Sequence, residues 1–285
     1  MSQTAVRQAP DASDATLSEA DFRALSELVS RTAGIVLVDS KRDMVARRLR
    51  RRLRALRLTT FSDYRTFVEG PTGAGEISLL LNSITTNHTS FFRENHHFDH
   101  LRDDVIGEYL ETARRRPGAR LRIWSAGCSM GQEPYTIAMT LAARLPRSGP
   151  VDARVLATDI DTQVLEVCRR GVYSAEERDR CEPDFRKYFE DVANGDVRIR
   201  GDVRRLVAFN PLNLMETWPM RGPFDAIFCR NVMIYFDAPT TQRLVRRFAE
   251  MLRPGGWLYI GHSERIADRA CGLSALGRTI YQRTA

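Results

Sequence analysis

Three stretches of this sequence hold side chains whose types and spacing could do chemistry. Residues 85–94 read TTNHTSFFRE, a run of hydroxyl, amide and imidazole groups that leads straight into Phe91-Phe92-Arg93-Glu94. Such a run can be a ligand-contacting edge, or a helix N-terminus in which Thr89 or Ser90 caps and the Phe pair enters the core. Residues 125–133, SAGCSMGQE, follow LRIW, the start of an expected buried strand. Gly127 and Gly131 there let the backbone turn tightly and approach a ligand. The run ARVLATDID ends at Asp159, with Asp161 just beyond. A carboxylate at the end of a second strand commonly accepts hydrogen bonds from ribose hydroxyls. The alternative is that Gly127 only ends a strand and Asp159 only caps the next helix.

These patterns narrow the ligand. The turn is not G-x-G-x-x-G, and no Lys follows Gly131 as a Walker loop requires. Without a phosphate cradle a triphosphate is disfavoured. Asp159 also lies further along than the roughly 20 residues of the dinucleotide fingerprint, which disfavours NAD. A nucleoside ligand without phosphates, such as S-adenosylmethionine, fits better.

The elements that must position these residues fall into two regimes. From Leu17 to about Glu111 the spacing is helical. Ser18 is an expected N-cap, Phe22, Leu25, Leu28 and Val29 share a face, and Gly34 is a natural stop. Val45, Leu49, Leu53 and Leu56 form a second stripe, surrounded by Arg47, Arg48, Arg50, Arg51, Arg52, Arg54 and Arg57. That charge run is either a solvated face or a docking surface for an acidic partner. From Leu121 onward, strands (LRIWSAG, ARVLATDID, FDAIFCRN, WLYIGHSE) alternate with helices, which implies an α/β fold with a doubly wound, Rossmann-like, largely parallel sheet. Between 172 and 212 the rhythm breaks. DVRIRGDVRRLVAF reads as an inserted antiparallel hairpin turning near Gly201-Asp202. The expected organisation is a disordered tail over 1–16, an all-helical domain over 17–95 and a sheet domain over 96–285, with a small β-subdomain at about 172–212.

Composition adds limits. The 285 residues are 43% hydrophobic, enough for a sizeable core, and no apolar run reaches the roughly 20 residues of a membrane helix. Membrane insertion is therefore not expected. The five scattered cysteines form no C-x-x-C pair, which favours a reducing, cytoplasmic compartment over a disulfide framework. His96 and His100 sit at i, i+4 without a third ligand at a convincing spacing, so no metal is expected. A net charge of +7 points to a partner of opposite sign.

The segments TTNHTSFFRE, IWSAGCSMGQEPYTIAM, LATDID, FNPLNL and FCRNVMIYFD occur in that order. Together they closely resemble the chemotaxis receptor glutamate O-methyltransferases, which use S-adenosyl-L-methionine and release S-adenosyl-L-homocysteine. The resemblance implies that Asn87, Thr89 and Arg93 reach the cofactor. It implies that Glu133 and Asp159 hold the adenosine part, Asp159 at the ribose. Asn213, Leu214, Arg230 and Asn231 would close around the adenine and methionine ends, and Arg93 and Tyr235 would lie nearest the transferring methyl as the catalytic pair. Phe91 and Phe92 would wedge the first segment between two domains. The implied partners are the acidic cytoplasmic helices of a methyl-accepting chemoreceptor, docked on the basic helix from Arg47 to Arg57, and a receptor C-terminal peptide on the β-subdomain. One rival is a nucleic-acid methyltransferase, suggested by the basic charge and by NPLN at 210–213. That motif lacks the second Pro and the aromatic that would stack a flipped base, so nucleic acid is not an expected partner. A second rival is a non-catalytic binding module, against which Arg93 and Tyr235 stand.

Overall fold

The computed structural model describes residues 15–146, 152–267 and 271–284. All but the last two residues of the expected tail lie outside the described residues. The chain divides into two compact units, Met1–Thr86 and Asn87–Ala285.

The first unit is helical, with α1 (Glu19–Ala33), α2 (Arg42–Leu56), α3 (Phe61–Glu69) and α4 (Ala74–Ile84). Ser18 caps α1 by accepting the Asp21 N–H at 3.1 Å, and Gly34 ends it in the left-handed conformation at φ 72°. Apolar stripes from the four helices meet in a core that includes Phe22, Leu25, Val29, Val45, Leu49, Leu53, Phe61, Tyr64 and Leu80. One carboxylate is buried there. Glu76 accepts two hydrogen bonds from the Arg52 guanidinium, both at 2.8 Å, and a third from the Tyr64 hydroxyl at 3.0 Å. The bidentate fork satisfies both oxygens of an acid that water cannot reach.

The second unit opens with α5 (His96–His100), which runs through a π-helical turn, Leu101–Val105, into α6 (Ile106–Arg115). Then follow β1 (Arg120–Ala126), α7 (Gln132–Arg144), β2 (Asp152–Asp159), α8 (Thr162–Arg170), β3 (Val172–Ser174), α9 (Ala175–Asp179), α10 (Pro183–Arg186), β4 (Phe189–Asp191) and β5 (Asp196–Ile199). The chain finishes with α11 (Gly201–Arg204), β6 (Val207–Pro211), β7 (Phe224–Cys229), α12 (Ala238–Met251), β8 (Leu252–Ile260), β9 (Leu273–Gly277) and β10 (Ile280–Arg283).

Seven strands form one sheet in the order β6-β2-β1-β7-β8-β10-β9. The first five run parallel, and β10 is antiparallel to both its neighbours. Successive residues of a strand point to opposite faces, and the two faces are covered differently. Ile123, Val155, Ala226 and Phe228 lie with Phe98, Leu101 and Ile106 of the α5–α6 stretch and Ile137 and Leu141 of α7. Trp124, Ile227, Leu258 and Ile260 lie with Leu244, Val245 and Phe248 of α12. This is the doubly wound arrangement expected from the alternation of strands and helices.

The inserted subdomain differs from the expected hairpin. β5 pairs antiparallel with β3 and with β4, giving a separate three-stranded sheet, whereas residues 207–211 form β6 at the edge of the main sheet, parallel to β2. The turn at Gly201-Asp202 is the helical turn α11, not a hairpin. Two apolar stretches close in sequence belong to different sheets because α11 redirects the chain between them. The β9–β10 hairpin was not anticipated. The unit boundary falls at 86/87 rather than 95/96, so residues 87–95 belong with the sheet.

Within that segment, Phe91 meets Tyr173 and Phe189 edge-on at 5.0 and 5.3 Å, and Phe92 meets Phe98 and Phe185 at 5.9 and 4.4 Å. These partners all belong to the second unit. The Phe pair therefore anchors the segment to its own unit. Nor does the segment start a helix at Thr89 or Ser90, since α5 begins at His96 after Asn95.

Candidate active site

The sheet order reverses between β1 and β7, and ligands seat beyond the carboxyl ends of strands at such a switch point. The loops after β1, β2, β6 and β7 carry most of the residues singled out above.

The turn from β1 into α7 is tight. Gly127 and Gly131 have φ of 80° and 93°, and a Cβ would lie 2.4 Å from Val232 Cγ2 at the first and 2.6 Å from the Tyr173 hydroxyl at the second. Only glycine fits both the conformation and the space. The Ser129 N–H of this turn donates to Asp159 Oδ2 at 2.7 Å, and the Asp161 N–H donates to Asp159 Oδ1 at 2.9 Å. Burial pushes the Asp159 carboxyl up to about 6, against the pull of these backbone donors. The cap of α8 is Asp161, whose Oδ1 accepts from the Gln163 and Val164 N–H groups, while its Oδ2 accepts from Asn87 Nδ2 at 2.9 Å. Asp159 therefore braces the β1–α7 turn, and Asn87 is held beside it through Asp161.

A second cluster gathers around Arg230, whose side chain is 3% exposed. It donates to Glu133 at 3.1 Å, bonds the Arg93 carbonyl, stands 3.5 Å from Glu94 and lies over the Phe98 ring at 5.4 Å. Ser125 Oγ donates to the other Glu133 oxygen at 2.7 Å. Burial raises the Glu133 carboxyl, with the Arg230 charge opposing. For Glu94, burial pushes up, but the His262 hydrogen bond at 2.9 Å and the Arg230 charge outweigh it and hold the carboxyl below its usual range. Phe92 and Glu94 both adopt φ of 56°, a left-handed kink that non-glycine residues seldom take. The kink is fixed by the Phe92 N–H donating to Thr136 Oγ1 at 3.2 Å and by the Arg230 bonds.

The structure thus brings Glu133, Arg230 and Arg93 together, and separately Asn87 and Asp159 through Asp161. Among the described residues the Arg93 guanidinium makes long contacts, 3.4 Å to the His88 carbonyl and 4.0 Å to Glu94. Asn231 follows Arg230 in a left-handed conformation with φ 60°. Tyr235 sits half-buried at the end of a 3₁₀ turn, Met233–Tyr235. Thr89 is half-buried in the first segment. Asn213 accepts the Met215 N–H at 3.0 Å within its own turn, and the Leu214 side chain is buried in the core beside Trp124. His96 and His100 turn to different partners, the Arg278 carbonyl and the Tyr259 hydroxyl. Sequence reasoning gave no role to Glu94, to Asp161 as cap, or to Glu264, which binds the loop after β7.

The residues fit a phosphate-free nucleoside ligand carrying an amino acid. Ser129 Oγ and Gln132 Oε1 are buried in the β1–α7 turn without a hydrogen-bond partner among the described residues. With the carboxylates of Asp159 and Glu133 they form an acceptor-rich lining suited to ribose hydroxyls and an ammonium group. Such a lining at the switch point of a doubly wound sheet suits a ligand that carries a nucleoside.

Comparison with known proteins carries this further. Residues 20–85 match the CheR methyltransferase all-alpha domain, and residues 87–281 match the CheR methyltransferase SAM binding domain. The chain is 47% identical over 270 residues to a chemotaxis protein methyltransferase of Escherichia coli, covering 93% of this chain and 91% of that one. It is 46% identical over 257 residues to a probable chemotaxis protein methyltransferase of Rhizobium etli, covering 88% and 95%. It is 43% identical over 266 residues to chemotaxis protein methyltransferase 2 of Pseudomonas aeruginosa, covering 92% of each. The chain belongs to the CheR methyltransferase family.

Proposed function

We propose that this enzyme transfers the methyl group of S-adenosylmethionine to glutamate side chains of a chemoreceptor, giving glutamate methyl esters in chemotactic adaptation. The observation that carries the reading is two clusters beyond the carboxyl ends of β1, β2 and β7, one around Asp159 and one joining Glu133, Arg230 and Arg93, in a chain that matches both domains of the family.

When bound, S-adenosylmethionine supplies an electrophilic methyl carbon, whose bond to sulfur breaks as a carboxylate oxygen takes the methyl. The acceptor glutamate has a pKa near 4.3 and is ionised at pH 7, so no general base is needed. The work left to the protein is alignment and exclusion of water, and orientation alone can supply several of the roughly 7–11 kcal/mol available to well-placed reactants. Asp159 holds the ribose hydroxyls. Glu133, fixed by Ser125 and Arg230, would share the adenosine part with Asp159. Asn213, Leu214, Arg230 and Asn231 would close around the adenine and methionine ends, and Asn87 and Thr89 would reach the cofactor. Arg93, held at its backbone by Arg230 and loose at its guanidinium, orients the incoming carboxylate. Tyr235 positions the donor or acceptor through its hydroxyl.

The basic helix is the docking surface for the acidic receptor helix, in a narrower form than the sequence implied. Arg48 bonds the carbonyls of Ile84 and Thr85, Arg50 bonds the Ala15 carbonyl, and Arg52 is committed to Glu76. Arg47, Arg51, Arg54 and Arg57 remain exposed, and 47, 51 and 54 fall at i, i+4, i+7 on one face of α2. A receptor C-terminal peptide would add to an edge of the β3-β5-β4 sheet. The five free, buried cysteines support a cytoplasmic setting, and no helix among the described residues is long and apolar enough to cross a membrane.

The test is transfer of radiolabelled methyl to receptor-bearing membranes. Label released by mild base as methanol marks the ester, whereas base-stable label on added nucleic acid in its place would overturn the reading.

A further inference from the structure

The turn from Gly261 to Glu264, just past the end of β8, touches both segments that carry the proposed catalytic side chains. Glu264 is 5% exposed, and its carboxylate is filled by four backbone donors. Oε1 accepts from Met233 at 2.7 Å and Ile234 at 3.2 Å, and Oε2 accepts from Asn231 at 3.0 Å and Gly261 at 2.5 Å. Three of those donors belong to the loop that runs from Arg230 to Tyr235. That loop contains the left-handed Asn231 and ends in the 3₁₀ turn bearing Tyr235. Two residues before Glu264, His262 bonds Glu94, the neighbour of Arg93.

We infer that Glu264 is a positioning residue for methyl transfer, a buried anion that folds the Asn231–Tyr235 loop around its carboxylate and so places Asn231 and Tyr235. No aliphatic contact could do this, because the Asn231, Met233 and Ile234 N–H groups pointing inward need an acceptor, and a carboxylate offers roughly four lone-pair sites. The charge also strengthens each bond relative to a neutral acceptor. Gly261 completes the device. A Cβ there would lie 2.5 Å from Asn231 Nδ2 and 2.8 Å from its backbone N, so the turn approaches the loop as closely as a glycine allows. This inference rests on the proposed methyl transfer, and it assigns the geometry of that site to a residue outside the loops that line it.

The test uses the full chain. Glu264→Gln keeps the size but turns an NH₂ group toward one pair of donors, whichever way the amide is oriented. Gly261→Ala leaves the carboxylate intact and pushes Asn231 from the other side. Val155→Ala, a core change in β2, controls for general loss of stability. For both loop variants we expect faster amide hydrogen exchange confined to residues 231–235, S-adenosylhomocysteine affinity weakened by about tenfold, as loss of one to two such bonds implies, and a fall in kcat with the receptor KM unchanged. Val155→Ala should lower the melting temperature without any of these. If Glu264→Gln does not fold, Gly261→Ala carries the test alone. Unchanged exchange at 231–235 together with unchanged kcat in the folded variants would overturn the inference. Absence of S-adenosylhomocysteine binding to the unmodified chain would instead sink the methyltransferase reading itself.

Discussion

Asp159 is a carboxylate with two backbone donors and little water, and its burial sets a pH dependence. Its carboxyl is raised to about 6 in the free protein, and in the role proposed for it at the ribose the ionised form is the stronger acceptor. Cofactor binding therefore favours the deprotonated state. Affinity should be flat above about pH 7 and should weaken as pH falls through about 6, approaching tenfold per pH unit. Titration of S-adenosylhomocysteine binding between pH 5 and 8 measures this, and Asp159→Asn should be weaker at pH 8 and lack the pH slope. Arg230 is the counterpart in the second cluster. It is nearly inaccessible and neutralises Glu133 and Glu94 together. Replacing it by Met leaves two buried carboxylates without their cation, which should cost about 3–5 kcal/mol of stability. Denaturant unfolding reads that loss, and an unchanged midpoint would show the pair to be solvated.

Among the helices and strands, α2 divides its arginines between two jobs. Arg52 belongs to the buried Glu76 fork, so Arg52→Ala should destabilise the helical unit by about 3 kcal/mol through the stranded carboxylate. Arg47, Arg51 and Arg54 are exposed, and their joint change to Ala should leave the melting temperature within a few degrees. It should also raise the receptor KM and remove the salt sensitivity of methylation between low and moderate ionic strength. Salt-independent methylation by the unmodified enzyme would count against α2 as the docking face. The β1–α7 turn makes a separate demand. Gly131→Ala forces a Cβ to within 2.6 Å of the Tyr173 hydroxyl and 2.9 Å of Cys168 Sγ at φ 93°, so cofactor binding should be lost before folding is.

Across the whole chain, the parts legible in the sequence were those with a strong local signature. Buried strands such as β1 and β7 carry short apolar stretches, Ile123-Trp124 and Ala226 to Cys229, and their loops mark the site because ligands seat at carboxyl ends. β6 was misread because it is an edge strand with a half-exposed pattern, so Val207 and Phe209 look like one arm of a hairpin. Its true neighbour is β2, 52 residues away by register, as Val207 opposite Val155 shows. The partners of β5 are three-residue strands, too short for alternation to register. In the site, Asp159, Glu133 and Arg230 could be placed by position, but the division of labour between Asp159 and Asp161 depends on which carboxylate meets which N–H. Glu264 escaped because its role lies in accepting backbone donors from a loop about thirty residues earlier, and no spacing rule encodes that.

The central claim is a crevice at the switch point that binds an adenosyl amino acid and holds it for methyl transfer. Isothermal calorimetry of the full chain with S-adenosylhomocysteine tests it most directly. Saturable heat at a single site per chain, weakened in both Asp159→Asn and Arg230→Met, is the expected result. No heat and no saturation with folded protein would contradict it.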